Sequence, residues 1–184
     1  MKSHVNSICK SANLALHNIG KIRKYLDAST TEKLIHAFVS SKLDQYNSLL
    51  YGLPAYQIKK LQLIQNKAAR IVTKTRPREH ITPVLKRLHW LPVEARIQFK
   101  LLLLIYKAVN GKAPQYIQTL LQPQETRNLR SSKKQFLKQP RSLTRSFGDR
   151  AFCTAGPALW NNLPLSVRTE KSLDIFKYKL KAII

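Results

Sequence analysis

The side chains that most often carry catalysis or bind metal ions are few in this sequence and widely spaced. Its five histidines show no metal-ligand spacing with the two cysteines, Cys9 and Cys153. The nine acidic residues are scattered and indicate no local two-metal site. Gly111-Lys112 lacks the upstream glycine of a phosphate-binding P-loop, and no Gly-x-Ser-x-Gly motif occurs. The sequence therefore predicts no catalytic residue and no metal ligand in this chain.

Basic side chains are the chemistry that the sequence does carry. It has 33 Lys and Arg against 9 Asp and Glu, a formal net charge of +24. A compact body with this charge repels itself unless a polyanion neutralises it, and nucleic acid is the commonest such partner. A membrane is disfavoured, because the longest apolar run, 101–106, is far shorter than the roughly 20 residues of a spanning helix. The two distant cysteines predict a reducing compartment, the cytoplasm or nucleus.

Two groups of cations are the candidate phosphate contacts. One lies on the third predicted helix and the other in a polar stretch with few apolar residues. Basic side chains in such positions can neutralise phosphates and release counterions. The alternative for the helix is an ordinary solvent-exposed face, and the alternative for the polar stretch is a solvated linker. The candidates are Lys59, Lys60, Lys67, Arg70 and Lys74 on the helix, and Arg127, Arg130, Lys133, Lys134, Arg141 and Arg145 in the polar stretch.

An all-α fold is expected to position these residues. Apolar residues recur at spacings of three and four, and hydrophobic residues make up 43% of the chain, enough for a core. Ser29 and Glu32 have the spacing of a capping box at the second helix, and no convincing strand appears except a short extended piece near 139–146. The expected parts are a thumb-like helical bundle at 1–78, a second helical layer at 79–121, a basic flexible connector at 122–146 and a terminal helical unit at 147–184.

Several other side chains are predicted to pack rather than to bind. Phe147, Phe152 and Trp160 lie among arginines and could stack on single-stranded bases, but apolar neighbours favour a core position for Trp160. Cys9 lies in the apolar stripe of the first helix and is expected to be buried and inert. Tyr46 is expected to pack as well.

Several stretches of the chain together resemble one family. The resemblance covers nearly the whole chain, in order. The stretches are YNSLLYGLP at 46–54, LQLIQNKAAR at 61–70, LHWLPVEARI at 88–97, YKAVNGKAP at 106–114, RSFGDRAF at 145–152 and PALWNNLP at 157–164. They resemble the C-terminal end, from the thumb onward, of the reverse transcriptase of LINE-type (non-LTR) retrotransposons of the jockey and chicken-repeat kind.

The resemblance implies a fragment that lacks its catalytic part. The family's metal-binding aspartates lie in a palm upstream of every matching residue, so the chain is expected to be N-terminally truncated and not an enzyme as it stands. It would need no cofactor, whereas the parent RNA-directed DNA polymerase would use Mg²⁺. The partners implied are RNA or an RNA–DNA hybrid, together with a palm and fingers domain upstream. The zinc knuckle that some relatives carry is missing from this sequence.

Three hypotheses follow from the sequence. The first is a polymerase-derived module that binds RNA or hybrid through phosphates. The second is a non-enzymatic helical protein whose charge meets an acidic protein partner. The third is an independent nuclease or polymerase whose acidic residues converge only in the folded chain.

Overall fold

The computed structural model describes residues 1–124, 135–144 and 146–184, and within them the fold is all-α, as predicted. The chain divides into two compact units, Met1–Arg96 and Ile97–Ile184. The four-part division made from the sequence stays a prediction. No helix of the described residues is both long enough and apolar enough to cross a membrane.

Ten α-helices occur in the described residues. The first five lie in the first unit, α6 begins there and continues into the second unit, and the rest lie in the second unit. They are α1 (Lys2–Ile22), α2 (Ala28–Ile35), α3 (Ser41–Asp44), α4 (Ala55–Thr73), α5 (Ile81–Arg87), α6 (Val93–Val109), α7 (Gln115–Gln118), α8 (Phe152–Asn161), α9 (Leu165–Arg168) and α10 (Leu173–Ile183).

Helix α1 packs an apolar stripe into the core of the first unit. Val5, Ile8, Ala12 and Leu16 are buried, and their spacing of three and four residues puts them on one face. Gly20 lies inside the helix and does not interrupt it. The helix is then followed by a short 3₁₀ turn at Arg23–Tyr25.

The N-cap of the second helix lies two residues earlier than the cap predicted from the sequence. Asp27 is the N-cap of α2, and its carboxylate accepts the backbone N–H of Thr30 at 3.3 Å. The capping box predicted at Ser29 is therefore wrong, since Ser29 is already inside the helix. Glu32 instead accepts a hydrogen bond from the indole Nε1–H of Trp90 at 3.3 Å. A π-helical turn, His36–Ser40, joins α2 to α3.

Helix α4 lies at the centre of the first unit. Its buried side chains include Leu61, Ile64, Ala68 and Val72, at helical spacing. Two polar side chains on the same helix hold the chain that leads into α6. Gln65 donates to the carbonyl of Leu91, and Gln62 accepts the N–H of Val93, each at 2.8 Å.

An aromatic cluster forms the core of the second unit. The ring of Tyr106 stacks on that of Phe176 with centroids 4.2 Å apart, and Trp160 lies 6.2 Å from Phe176. All three side chains are fully buried. The prediction that Trp160 belongs to the core is thus confirmed, whereas Phe147 is exposed.

The described part of the predicted basic connector is anchored to the second unit. Leu137 is buried and pairs with Pro123 in an isolated antiparallel bridge. The side-chain amide of Asn161 holds both backbone groups of Leu137, accepting its N–H at 2.9 Å and donating to its carbonyl at 2.8 Å. No strand forms in the described residues 139–144, so the extended piece lies earlier than expected. Residues 125–134 and 145 lie outside the described part of the chain.

Candidate nucleic-acid interface

An open groove of about 920 Å³ lies between α1 and α4 in the first unit. Each helix contributes one stripe of side chains, because residues three, four and seven apart share a helix face. The aliphatic floor includes Leu16, Ile64 and Ile71, while polar and basic side chains complete the lining. The polar and basic lining residues are Asn6, Asn13, His17, Lys60, Asn66, Lys67 and Arg70.

Two matching lysine–asparagine pairs bridge the groove. Lys60 donates to the side-chain carbonyl of Asn6 at 3.2 Å, and Lys67 donates to that of Asn13 at 3.4 Å. Both members advance by seven residues from one pair to the next, so α1 and α4 run in the same direction. With a rise of 1.5 Å per residue, the two pairs are about 10 Å apart along the helices.

The charges of these two lysines are left uncompensated by their partners. An asparagine oxygen accepts a hydrogen bond but carries no net charge. Among the described residues, no ion pair includes Lys60, Lys67 or Arg70. The groove therefore presents oriented positive charges with hydrogen-bonding capacity left for an incoming anion.

Arg70 is held at the far end of the groove by backbone carbonyls. Its Nη2 donates to the carbonyl of Glu79 at 2.9 Å and its Nε donates to that of Arg76 at 3.4 Å. These bonds fix the segment that follows α4 beside the groove. These carbonyl oxygens are neutral, so they do not compensate the positive charge of the guanidinium.

The remaining predicted contacts do not line the groove. Lys59 is exposed on α4 but absent from the groove lining. Lys74 is exposed at the end of α4, where its backbone takes a left-handed conformation with φ of 56°. Arg141 is exposed in the second unit. The other predicted contacts, Arg127, Arg130, Lys133, Lys134 and Arg145, lie outside the described residues.

Sequence reasoning missed the face of α1 that opposes these cations. Asn6, Asn13 and His17 are polar residues at near-helical spacing. Their signal in the sequence was the seven-residue interval of the asparagines, which matches that of Lys60 and Lys67.

Cys9 was predicted to be buried, and this is wrong in part. Its side chain is half-buried and lines the groove. Burial raises the pKa of the Cys9 thiol above its usual value, against the smaller opposing influence of the Lys60 charge. The thiol form is therefore favoured over the more reactive thiolate.

The groove offers no aromatic platform for bases. Its lining, which consists of described residues alone, contains no Phe, Tyr or Trp. Tyr46, expected to pack, is 66% exposed with a left-handed backbone, but it does not line the groove. The geometry thus suits contact with a backbone of phosphates better than stacking on bases.

Comparison of the chain with family models, with curated proteins and with solved structures finds no match. Within the described residues, no group of three or more His, Cys, Asp or Glu is placed to hold a metal ion. A function for this chain is therefore inferred from the groove, its charges and the sequence resemblance.

Proposed function

We propose that the chain binds RNA or an RNA–DNA hybrid, without regard to sequence, through phosphates held along the α1–α4 groove. The observation that carries this proposal is the pair of lysines whose side chains are oriented by neutral asparagines. Cations that are held in position on one face and have no acidic partner can bind successive phosphates of a nucleic-acid backbone. The net charge of +24 supports a polyanionic partner.

The family resemblance supports a more specific form of this proposal. The chain would be a fragment of a retrotransposon reverse transcriptase in which the helical thumb grips the template–primer duplex. The palm, with its aspartates and Mg²⁺, would belong to the parent enzyme, so this fragment would contribute grip without catalysis. The expected compartment, cytoplasm or nucleus, stays a prediction.

A salt titration of binding tests the proposal. We expect the affinity for a labelled RNA, and for the same RNA annealed to DNA, to fall steeply with salt. The log–log slope should be steeper than about −3, because each phosphate held contributes about −0.7 to −0.9. An affinity that is unchanged between about 50 and 200 mM salt would contradict phosphate binding.

A charge-matched pair of variants locates the site. In K60Q/K67Q we expect the slope to become shallower by about 1.4 to 1.8, the share of two cations. The control is K33Q/K86Q, which removes two exposed lysines of the same unit that do not line the groove. Equal losses in the two double variants would show that total charge, rather than the groove, determines binding.

The aliphatic floor of the groove favours one alternative, an acidic amphipathic helix of a partner protein. Such a helix would lay its apolar face on Leu63, the exposed aliphatic side chain of the groove lining, and pair its carboxylates with the lysines. Displacement of a bound acidic partner by heparin but not by RNA would favour this alternative over nucleic-acid binding.

A further inference from the structure

The chain that follows α4 forms a tight turn beside the groove, residues 76–79, which we call the basic turn. Pro77 occupies its second position, where the fixed φ of proline favours a β-turn. The carbonyl of Arg76 accepts the backbone N–H of Glu79 at 3.2 Å, which closes the turn. Pro77 also belongs to the lining of the groove. The basic turn therefore continues the groove at the end where α4 stops.

The one acidic side chain of the basic turn is directed to the backbone of the same turn. Oε1 of Glu79 accepts the backbone N–H of Arg76 at 3.1 Å. Arg76 and Arg78 are both exposed. Within the described residues, no ion pair includes either arginine or Glu79. Two uncompensated guanidinium groups are thus open to an anion that arrives from solvent.

Arg70, a residue of the groove lining, ties the basic turn to α4. Its Nη2 donates to the carbonyl of Glu79 at 2.9 Å and its Nε donates to that of Arg76 at 3.4 Å, so it contacts both ends of the turn. The donors of a guanidinium have a fixed separation, whereas a lysine has one nitrogen on a flexible stem. Arg70 therefore holds the backbone that carries Arg76 and Arg78.

The cations of α4 and those of the basic turn follow one another along the same edge of the first unit. Lys60, Lys67 and Arg70 share one face of α4. Ten residues at about 1.5 Å each give about 15 Å between the first and the last of them. The basic turn follows at the Arg70 end. Since a nucleic-acid strand carries one phosphate about every 3.4 Å of helix axis, several consecutive phosphates fit along this length.

We propose that the basic turn is a second phosphate-binding surface, which a nucleic-acid backbone reaches as it leaves the groove, and that Arg70 positions it. The inference rests on the proposed function of the groove, because both surfaces would hold the same strand. Arg76 and Arg78 bind phosphate oxygens, which match the planar guanidinium fork. An acidic amphipathic helix suits the turn less well, because the turn has no apolar side chain other than Pro77 for it to cover.

Salt titrations of binding to a labelled RNA test the basic turn. In R76Q/R78Q we expect the log–log slope to become shallower by about 1.4 to 1.8, the share of two cations. When these changes are combined with K60Q/K67Q, the loss should reach about 2.8 to 3.6, because the four cations hold different phosphates. The control is K33Q/K86Q, which removes two exposed lysines outside both the groove and the turn.

The outcomes separate the basic turn from the groove. A wild-type slope in R76Q/R78Q, together with a shallower slope in K60Q/K67Q, would overturn the role of the turn and leave the groove in place. An equal loss in K33Q/K86Q would mean that total charge determines binding, and would overturn the turn as a distinct surface. A wild-type affinity that does not change with salt would overturn the proposed function itself.

A charge-preserving variant tests the positioning role of Arg70. Arg70→Lys keeps the charge but loses the contact with two carbonyls, so the slope should become shallower by up to about 1.8, although the net charge is unchanged. In the R76Q/R78Q background the same substitution should change nothing further, since residues that act as a unit are not additive. A wild-type slope in Arg70→Lys would show that Arg70 contributes only its charge, and would overturn the positioning role.

Discussion

The carboxylate of Glu170 shows how one side chain is matched to its surroundings. It accepts hydrogen bonds from Nζ of Lys179 and from the backbone N–H groups of Ser172 and Lys171. The hydrogen bond from Lys179, followed by that from Ser172, lowers the pKa of this carboxyl. A lowered pKa in the folded state means that the ionised form stabilises the fold.

We therefore expect Glu170→Gln to destabilise the chain at about pH 7. The contribution is present above the pKa of an unfolded glutamate, about 4.3, and is lost as the pH falls through the lower folded value. The difference in Tm between variant and wild type should accordingly shrink at about pH 3. The control is Asp174→Asn, an exposed carboxylate in an i,i+3 pair with Lys177, which should change Tm little at either pH. A Tm difference for Glu170→Gln that does not depend on pH would contradict this assignment.

Single residues also show where sequence reasoning stops. Asp27 and Ser29 are both good capping residues, and only the folded backbone shows that the helix begins at Ala28. Tyr46 was expected to pack, but α3 ends at Asp44 and the tyrosine that follows it is exposed. A local sequence pattern does not fix the first or last residue of a helix to better than a few positions. Tertiary packing determines where the helix begins and ends.

At the scale of the elements, the clamp between Asn161 and Leu137 joins α8 to an extended segment. Two short hydrogen bonds and one buried leucine form this contact. The sequence predicted a flexible connector here because its composition is polar and basic. This contact could not be predicted, because one asparagine that binds both backbone groups of a distant residue produces no periodic pattern in the sequence.

Removing the clamp should weaken the second unit. We expect Asn161→Ala to cost roughly 1 to 3 kcal/mol, because the backbone N–H and carbonyl of buried Leu137 lose their partners. Denaturant unfolding measures the loss, and amide exchange should speed up at Leu137. The neighbouring variant Asn162→Ala removes an exposed amide at the end of α8. Equal losses in the two variants would contradict the assignment of the clamp to Asn161.

The docking of α10 depends on one aromatic side chain. Phe176 is fully buried against Tyr106 and Trp160. We expect Phe176→Ala to lower the free energy of unfolding by about 3 to 5 kcal/mol, as for other large buried aromatics. Tyr178, on the same helix but 78% exposed, is the control; its replacement by alanine should change stability by less than about 0.5 kcal/mol. Similar losses of stability in the Phe176 and Tyr178 variants would contradict the assignment of Phe176 to the core of the second unit.

At the scale of the whole molecule, the sequence predicted the all-α fold and most of its long helices, because apolar periodicity and turn residues extend over many positions. It predicted the basic row of α4 for the same reason. It did not predict that the asparagines of α1 lie opposite this row, because an asparagine on a helix indicates a binding role only when its hydrogen-bond partner is known. Nor did it show that Arg168 is buried, because a lone arginine in a basic chain looks like a surface residue.

The whole chain should also be inactive as a polymerase. With a primed RNA template, deoxynucleotides and Mg²⁺ or Mn²⁺, we expect no primer extension, because the palm that carries the metal-binding aspartates in the family that the chain resembles matches none of its residues. The control is any active reverse transcriptase on the same template. Extension that a single Asp or Glu substitution abolishes would show that acidic residues of this chain converge into a catalytic site.

The parallel course of α1 and α4 has an electrostatic consequence. Peptide dipoles in the two helices point the same way, so the positive ends of both meet at one end of the groove. At the other end Arg23 donates to the carbonyls of Ile71 and Val72 at 2.8 and 3.0 Å, which offsets the negative end of α4. A polyanion that extends past this groove to the end where the two helices begin would therefore meet favourable potential there.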